Sequence, residues 1–436
     1  MAIFGAEIND GRVEGVVEKA EDSGITWVRY NGLIWHEIQD EEDGEYEWPE
    51  DVEKDLRIIQ EHGFEPLVII RGTPEWAKSD DVDKDVSKCG PIHKDHLDDF
   101  AEFVKWAVER YSQSPYSVEY WEIGNEPDVD PSLLNQPMPY GCWGDQSDEY
   151  YGGEYFAEML RRVYPVIKDA DPNAKVVLGG LLLDCDPNDP PEDKTRESCK
   201  PSRFLEGILR NGGGSAFDIL AYHGYAFWEP GTNDWDLEHR SWKHRGGALL
   251  GKREFIKEVL EDYNLEKPLM ANEIGLLCWI SNSDSSKYCI DNGFLEAQAN
   301  YAVRTYVRAW VNDLYAAIWY TFNHSGWNEA GLLTTGNEPR PAYYTIEFLT
   351  ELLDEATYKE EWEDATTRRE GHIFEDDEYT YSFYWANDDS TFDIDLPDGE
   401  FTLYDDVGEE IDIEDETTDE TTYEVGFDPV IIQERK

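Results

Sequence analysis

Two hydrophobic rhythms divide the chain. From residue 3 to about residue 353, short apolar runs rich in β-branched residues recur, each followed by a loop and a helical pattern. Eight such runs stand at residues 3–8, 25–30, 66–70, 118–123, 175–178, 217–222, 268–272 and 316–320. Residues 95–110 (DHLDDFAEFVKWAVER), 153–170 and 294–311 carry apolar positions at the spacing of an amphipathic helix. Nearly continuous apolar strands alternating with helices predict a parallel sheet covered on both faces. Eight repeats predict an α/β fold that closes, a (β/α)8 TIM barrel. The alternative, an open doubly wound sheet, normally carries a Gly-rich nucleotide loop after its first strand, and none is present.

Beyond residue 353 the rhythm changes to alternation. Residues 379–385 (YTYSFYW), 392–396 (FDIDL) and 401–404 (FTLY) read as short strands, with Pro397-Asp398-Gly399 as a turn. The acidic segment 409–424 carries Ile411, Ile413 and Tyr423, which favours edge strands with a solvated face over a disordered tail. The expected division is a barrel over residues 1–354 and a small C-terminal β-sandwich over 355–436.

The composition narrows the partners. Lys plus Arg number 37 and Asp plus Glu 97, a formal net charge of −60. Such a chain repels phosphate backbones and anionic membranes, so neither nucleic acid nor membrane is an expected partner. Acids spread through every segment resemble the pattern of proteins from salt-loving organisms. No run of about 18 apolar residues offers a transmembrane helix. The six cysteines form no C-x-x-C, and all fall in segments that read as loops, which favours disulfides and an oxidising compartment. Cys185 with Cys199 and Cys278 with Cys289 are the expected local pairs, leaving Cys89 with Cys142. Residues 1–5 enter the first strand without a basic or long apolar leader. The expectation is an extracellular protein whose signal peptide is absent from this sequence, with the cytoplasm of a halophile as the alternative. Sixteen Trp and 26 Tyr exceed the ordinary needs of a core, and flat rings suit the apolar faces of sugars.

The fourth run ends Tyr120-Trp121-Glu122-Ile123-Gly124-Asn125-Glu126-Pro127, and the seventh reads Pro268-Leu269-Met270-Ala271-Asn272-Glu273-Ile274-Gly275. Pro127 cannot join a sheet ladder, so the strand stops and Glu126 stands at the C-terminal rim, where barrel enzymes hold their chemistry. Two Glu across one barrel mouth suit glycosyl transfer: one protonates the leaving oxygen, the other attacks the anomeric carbon. For retention they should sit about 5–5.5 Å apart, and like charges that close are expected to push one pKa upward. The plainer reading, two strand-end Glu in salt bridges, does not explain the strand numbers. At these residues the chain resembles the clan A retaining glycoside hydrolases, whose acid/base Glu follows Asn at strand four and whose nucleophile Glu ends strand seven.

The resemblance implies Glu126 as acid/base and Glu273 as nucleophile. It implies Arg29 as the guanidinium beside the nucleophile and Asn125 as the partner of the sugar 2-hydroxyl. It implies His223 or Tyr225 as the nucleophile's orienting partner, with Tyr225 preferred, and Trp319 as the platform under the sugar. Arg71-Gly72-Thr73-Pro74-Glu75-Trp76-Ala77 looks like family 39 and some family 5 members. Two departures are the start directly at strand one and Arg71 where family 5 often has His. The implied activity is hydrolysis of β-linked glycans or glycosides of xylan, glucan or mannan type, with an oligo- or polysaccharide substrate and no cofactor or metal. Transglycosylation by the same two Glu and a non-catalytic carbohydrate-binding barrel are the alternatives. A metal-dependent barrel hydrolase would need more ligands beside His223, and no H-x-H follows the first strand.

The charge excess makes a prediction. At molar salt the screening length falls from about 10 Å to about 3 Å, which removes self-repulsion. The melting temperature is expected to rise between low and molar NaCl; a flat or falling trend would reject a salt-adapted fold.

Overall fold

The computed structural model describes residues 3–9, 12–79, 90–129, 143, 148–279, 285–412 and 421–436. Eight parallel strands close a barrel in sequence order: β1 (Phe4–Ile8), β2 (Trp27–Ile34), β3 (Glu65–Arg71), β4 (Tyr120–Ile123), β5 (Lys175–Leu181), β6 (Ile219–Phe227), β7 (Leu269–Leu277) and β8 (Ala317–Trp319), with β8 pairing back to β1. The helices that wrap it include α1 (Val17–Asp22), α2 (Trp35–Ile38), α3 (Glu50–Glu61), α4 (Leu97–Tyr111), α5 (Gly153–Ala170), α6 (Phe204–Arg210), α7 (Ala248–Asp262), α8 (Ser285–Asp291), α9 (Phe294–Val311) and α10 (Pro341–Leu353). All eight apolar runs became strands. Several strands extend beyond their runs, through stretches such as 223–227 (HGYAF) and 273–277 (EIGLL) in which polar and glycine residues interrupt the apolar pattern.

The period-two geometry of a strand sorts side chains into two layers. Trp27, Leu67, Tyr120, Val177, Ile219, Ala221, Met270, Ala316 and Ile318 fill the barrel's floor as a separate cluster. Their sequence neighbours, among them Val28, Val68, Trp121, Val176, Leu220, Ala271 and Ala317, face the helices in the large outer core. One strand position above the floor, the inward residues are polar, and the site is built there.

Three strands break this alternation. Between Tyr30 and Leu33, β2 holds one residue more than β3 opposite. Between Leu178 and Leu181, β5 holds one more than β6. Between Ala271 and Ile274, β7 holds one more than β8, and the same extra residue appears against β6, where His223 pairs with Glu273. Each is a β-bulge at the C-terminal rim, where an extra residue re-aims the side chains that follow.

After α10 the chain forms an antiparallel five-stranded sheet from β9 (Thr357–Glu361), β10 (Arg369–Glu375), β11 (Tyr379–Ala386), β13 (Phe401–Tyr404) and β15 (Val430–Arg435). A smaller pair, β12 (Phe392–Asp395) and β14 (Thr422–Val425), packs on it. Alternation again assigns the faces. Phe374, Phe383, Trp385 and Ile431 join the barrel's core, while Tyr384, Ala386, Val430 and Ile432 meet Phe392, Ile394, Tyr423 and Val425 of the pair. Of the acidic segment expected as edge strands, Thr422–Val425 is β14 and Glu410 makes one bridge to Tyr404; Ile413 lies outside the described residues.

The two parts meet through buried charges. Arg304 and Arg308 of α9 both bind Asp234, which sits in the loop after β6, at 3.0 and 2.8 Å. Arg308 Nη2 also donates to Glu370 of β10 at 2.6 Å, and Arg304 Nη2 donates to the carbonyl of Ala386 at 3.1 Å. Burial would raise the Asp234 and Glu370 carboxyls, yet the guanidinium groups hold both below the usual range. This network ties a mouth loop to the small sheets through one helix. Arg308→Met leaves Asp234 and Glu370 short of their shared cation, and a stability loss of about 3–5 kcal/mol is expected in urea denaturation. An unchanged midpoint would show the network to be neutral.

Candidate active site

The site is organised around one guanidinium. Trp27 packs in the floor of the barrel, so Arg29, two positions on, faces inward just above it. All its donors are engaged. Nε and Nη2 bind Glu122 at 2.8 and 2.9 Å, Nη1 binds Glu7 and Glu273, and Nη2 also binds Asn125 Oδ1 at 2.6 Å. Glu7 comes from β1, Glu122 from β4 and Glu273 from β7, and all are buried. Burial disfavours the charge of Arg29, but the three carboxylates outweigh it and raise its pKa. Burial also pushes Glu7 up to about 7, against the pull of Arg29. Asn272 Nδ2 donates to Glu122 Oε1 at 2.9 Å, which completes this polar layer.

Glu126 reaches the mouth by a backbone turn. β4 stops at Ile123, well before Pro127; the ladder ends because Gly124 (φ 83°) and then Glu126 itself (φ 45°) enter the left-handed region. A non-glycine residue held there costs about 1–2 kcal/mol, a strain typical of functional positions. The turn is fastened to β5: Glu126 N–H donates to Gly180 O at 2.9 Å, and Asp128 accepts from Leu182 and Leu183 N–H at 2.9 and 2.8 Å. Gly180 sits in the β5 bulge. A Cβ there would lie 2.2 Å from His223 Nε2 and 2.6 Å from Asn272 Oδ1, so a larger residue would displace the polar layer.

His223 Nδ1 lies between the two rim carboxylates, 2.8 Å from Glu126 Oε1 and 3.3 Å from Glu273 Oε2. Tyr225 donates its hydroxyl to Glu273 Oε2. Thus Tyr225 bonds Glu273, and the closer partner of His223 is Glu126. The β7 bulge allows both Asn272 and Glu273 to face inward, where a regular strand would turn one of them outward. Burial lowers His223 to about 4, so the imidazole is neutral near pH 7. Burial also raises Glu126 to about 7, with Arg29 and Lys252 acting against it. The sequence led us to expect repulsion between the two Glu as the cause. Desolvation is the cause instead, and the guanidinium beside Glu273 screens its charge.

Trp319 does not reach the cleft. Its parity is that of Ala317, so it points into the helical layer, fully buried, with its indole N–H on Ala330 O at 2.8 Å and its ring against Tyr301. The inward residue at the end of β8 is Tyr320, in line with Ala316 and Ile318, whose ring packs edge-on against Tyr225 at 6.0 Å. Sequence reasoning passed over Tyr320, Glu7, Glu122 and Asn272. The signal for the acids was present, since a Glu two positions beyond Gly5 or Tyr120 must share its inward face. Cys185–Cys199 and Cys278–Cys289 are bonded, although Cys289 lies in α8 and not in a loop. The Cys89–Cys142 pairing lies outside the described residues. Among the described residues no helix is long and apolar enough to cross a membrane.

No family model matches the sequence, nor does any curated protein. Solved structures do match in fold over the whole chain. A family 39 glycoside hydrolase from the gut symbiont Bacteroides cellulosilyticus WH2 is 18% identical, with a TM-score of 0.70 over 100% of this chain and 81% of that one. A family 39 β-xylosidase from Caulobacter crescentus is 15% identical, with a TM-score of 0.61 over 100% and 96%. A family 30 subfamily 8 xylanase from Clostridium acetobutylicum is 10% identical, with a TM-score of 0.59 over 99% and 95%. The fold is that of family 39 and family 30 glycoside hydrolases.

Within that fold, Glu126, His223 and Glu273 bring one carboxylate oxygen or ring nitrogen each within 4.8 Å of one another. The trio has the donor types of a metal site, but Glu273 is already bonded by Arg29, so a divalent ion would sit beside a fixed positive charge. The electrostatics of Glu126 are testable without substrate. A carboxyl whose pKa rises on folding holds its proton more tightly when folded, so its ionisation costs stability as pH rises from about 4.5 through about 7. Glu126→Gln is therefore expected to stabilise the protein by about 1–3 kcal/mol at pH 8 and by much less at pH 5. Equal effects at both pH values in thermal melts would reject a raised pKa.

Proposed function

We propose that the protein is a retaining glycoside hydrolase of β-linked glycans or glycosides, with Glu126 as acid/base and Glu273 as nucleophile. The observation that carries this is the separation of the two carboxylates. One oxygen of each carboxylate within 4.8 Å of the other is close to the roughly 5–5.5 Å of retaining enzymes and well short of the about 6.5–9.5 Å of inverting ones. The likeness in fold to a β-xylosidase and a xylanase supports a β-linked sugar of this kind.

In the first step Glu273 attacks the anomeric carbon while Glu126 gives its proton to the departing oxygen. A covalent glycosyl ester forms and the glycosidic bond breaks. In the second step Glu126, now ionised, takes a proton from water, whose oxygen attacks the same carbon and releases Glu273. Burial keeps Glu126 protonated up to about pH 7 for the first step. Arg29 and Tyr225 bond the oxygens of Glu273 and orient it. Asn125 has its carbonyl oxygen held by Arg29, so its amide N–H groups are the ones turned toward a sugar hydroxyl. A sugar acceptor in place of water would make the same centre a transglycosylase. We assign residues 1–354 to the catalytic unit and 355–436 to a brace on it. The two disulfides support an extracellular site of action.

Wild type, Glu126→Ala and Glu273→Ala should be compared on aryl β-glycosides and β-linked oligosaccharides at molar salt, with azide added. Loss of the acid is expected to slow poor leaving groups about 10²–10⁴-fold. Azide should restore Glu273→Ala as a glycosyl azide of inverted configuration. In wild type, kcat/KM should fall as pH rises through about 7, where Glu126 loses its proton. Product of inverted configuration from the wild type would overturn the retaining assignment.

A further inference from the structure

The mouth carries exposed aromatic rings that the reaction centre does not use. β6 rises out of the site with His223, Tyr225 and Phe227 on one face; the first two are buried and Phe227 is 40% exposed. Trp279, just beyond β7, is 58% exposed, and Trp327, in the turn after β8, is 47% exposed. The four rings form an open chain of contacts. Tyr225 meets Trp327 at 5.8 Å, Trp327 meets Trp279 at 5.9 Å, and Trp279 meets Phe227 at 6.1 Å, with interplanar angles of 81°, 75° and 79°. One end of this chain is the tyrosine that bonds Glu273, so the apolar surface is continuous with the reaction centre.

The wall is held in place. Cys278 N–H donates to Asn328 O at 2.9 Å, and Cys278 is bonded to Cys289, so the segments bearing Trp279 and Trp327 are joined. Trp228 N–H donates to Leu277 O at 2.8 Å and joins β6 to β7. After Trp327, Asn328 (φ 50°) and Glu329 (φ 61°) are both left-handed, a conformation kept by Arg340 and Gln298, which donate to Glu329 O at 2.9 and 3.0 Å. Backbone strain that presents an exposed Trp beside an active centre points to use of that Trp.

The chemistry of the wall selects its occupant. A sugar unit needs hydrogen-bond partners for each hydroxyl, whereas these four side chains offer mainly ring faces: two indole N–H groups, and a Tyr225 hydroxyl already given to Glu273. A polymer strip needs platforms that lie nearly parallel along one line, and these neighbours stand nearly perpendicular. Perpendicular rings make a corner that meets a flat group by face and by edge. We propose that the corner formed by Tyr225, Trp327, Trp279 and Phe227 binds a planar apolar aglycone, so that the substrate is a glycoside of a phenol-like alcohol and not an internal linkage of a polysaccharide. This rests on the glycosidase reading above for its chemistry.

The test uses two exposed wall residues, Trp279→Ala and Phe227→Ala, in the full chain. For a sugar that the wild type cleaves, KM is measured for its 2-naphthyl β-glycoside and for the matching β-linked disaccharide. Each variant should raise KM for the naphthyl glycoside about tenfold and leave the disaccharide within about twofold, since one aromatic contact is worth about that factor. A second arm needs no cleavage: 2-naphthol is titrated against wild type and both variants by calorimetry, and binding should weaken about tenfold in each variant. An equal or larger KM rise for the disaccharide would make the wall a sugar platform and overturn the proposal. So would variants that leave both substrates unchanged, or a wild type that does not bind 2-naphthol. If the wild type binds 2-naphthol through these residues yet cleaves no glycoside, the glycosidase reading fails while the apolar corner stands.

Discussion

One buried guanidinium with every donor engaged is the constraint from which the mouth of this barrel follows. Arg29 binds groups from β1, β4 and β7 and the turn beyond β4, so four points around the closed sheet share one planar fork. A lysine could not replace it, having a single nitrogen and no fork to meet Glu122 at two points. The arrangement is also expensive, because a buried cation is surrounded by three carboxylates taken out of water. Burial keeps Glu7 protonated up to about pH 7, which removes one negative charge from the excess. The remaining groups exist in this form only because the strands present them at one height, directly above the apolar floor.

That height depends on the three bulges. A regular strand gives one inward residue in two, yet the site needs Asn272 and Glu273 together from β7. The extra residue in that strand supplies both. The extra residue in β5 brings Gly179 and Gly180 against the backbone of β4, and the carbonyl of Gly180 then holds the N–H of Glu126. A Cβ on Gly179 would stand 2.4 Å from Gly124 O, so the approach that fixes the Glu126 turn requires glycine. Register errors concentrated at one rim, with a regular ladder below them, are the geometric cost of presenting adjacent side chains to one cavity.

The strands, their number and both rim glutamates were legible because each rests on a local signal: an apolar run, or Asn-Glu at the end of a run. The C-terminal strands were legible by alternation. What failed were inferences that need parity across a bulge or a contact between distant strands. Trp319 sits one residue from the inward position that Tyr320 holds, and only the register of β8 against β7 and β1 separates them. Glu7 and Glu122 looked like ordinary strand residues until Arg29 supplied their partner from 22 and 93 residues away. The aromatic corner was invisible for the same reason, since its four rings come from three separate strand ends.

The two rim carboxylates differ through their surroundings more than through each other. Glu273 has a guanidinium and a phenol against its oxygens. Glu126 has a neutral imidazole and low-dielectric surroundings, and the pull of Arg29 and Lys252 does not overcome its desolvation. Since burial and not repulsion lifts Glu126, its proton affinity depends on the turn that buries it. The turn is held by bonds away from any reacting atom: Glu126 N–H donates to Gly180 O, and Asp128 accepts from Leu182 and Leu183 N–H. Loosening them would lower the pKa of Glu126 toward that of an ordinary glutamate while Glu273, held from the opposite wall by Arg29 and Tyr225, kept its environment. The strained left-handed backbone at Glu126 is therefore part of the electrostatics of the site as well as its geometry.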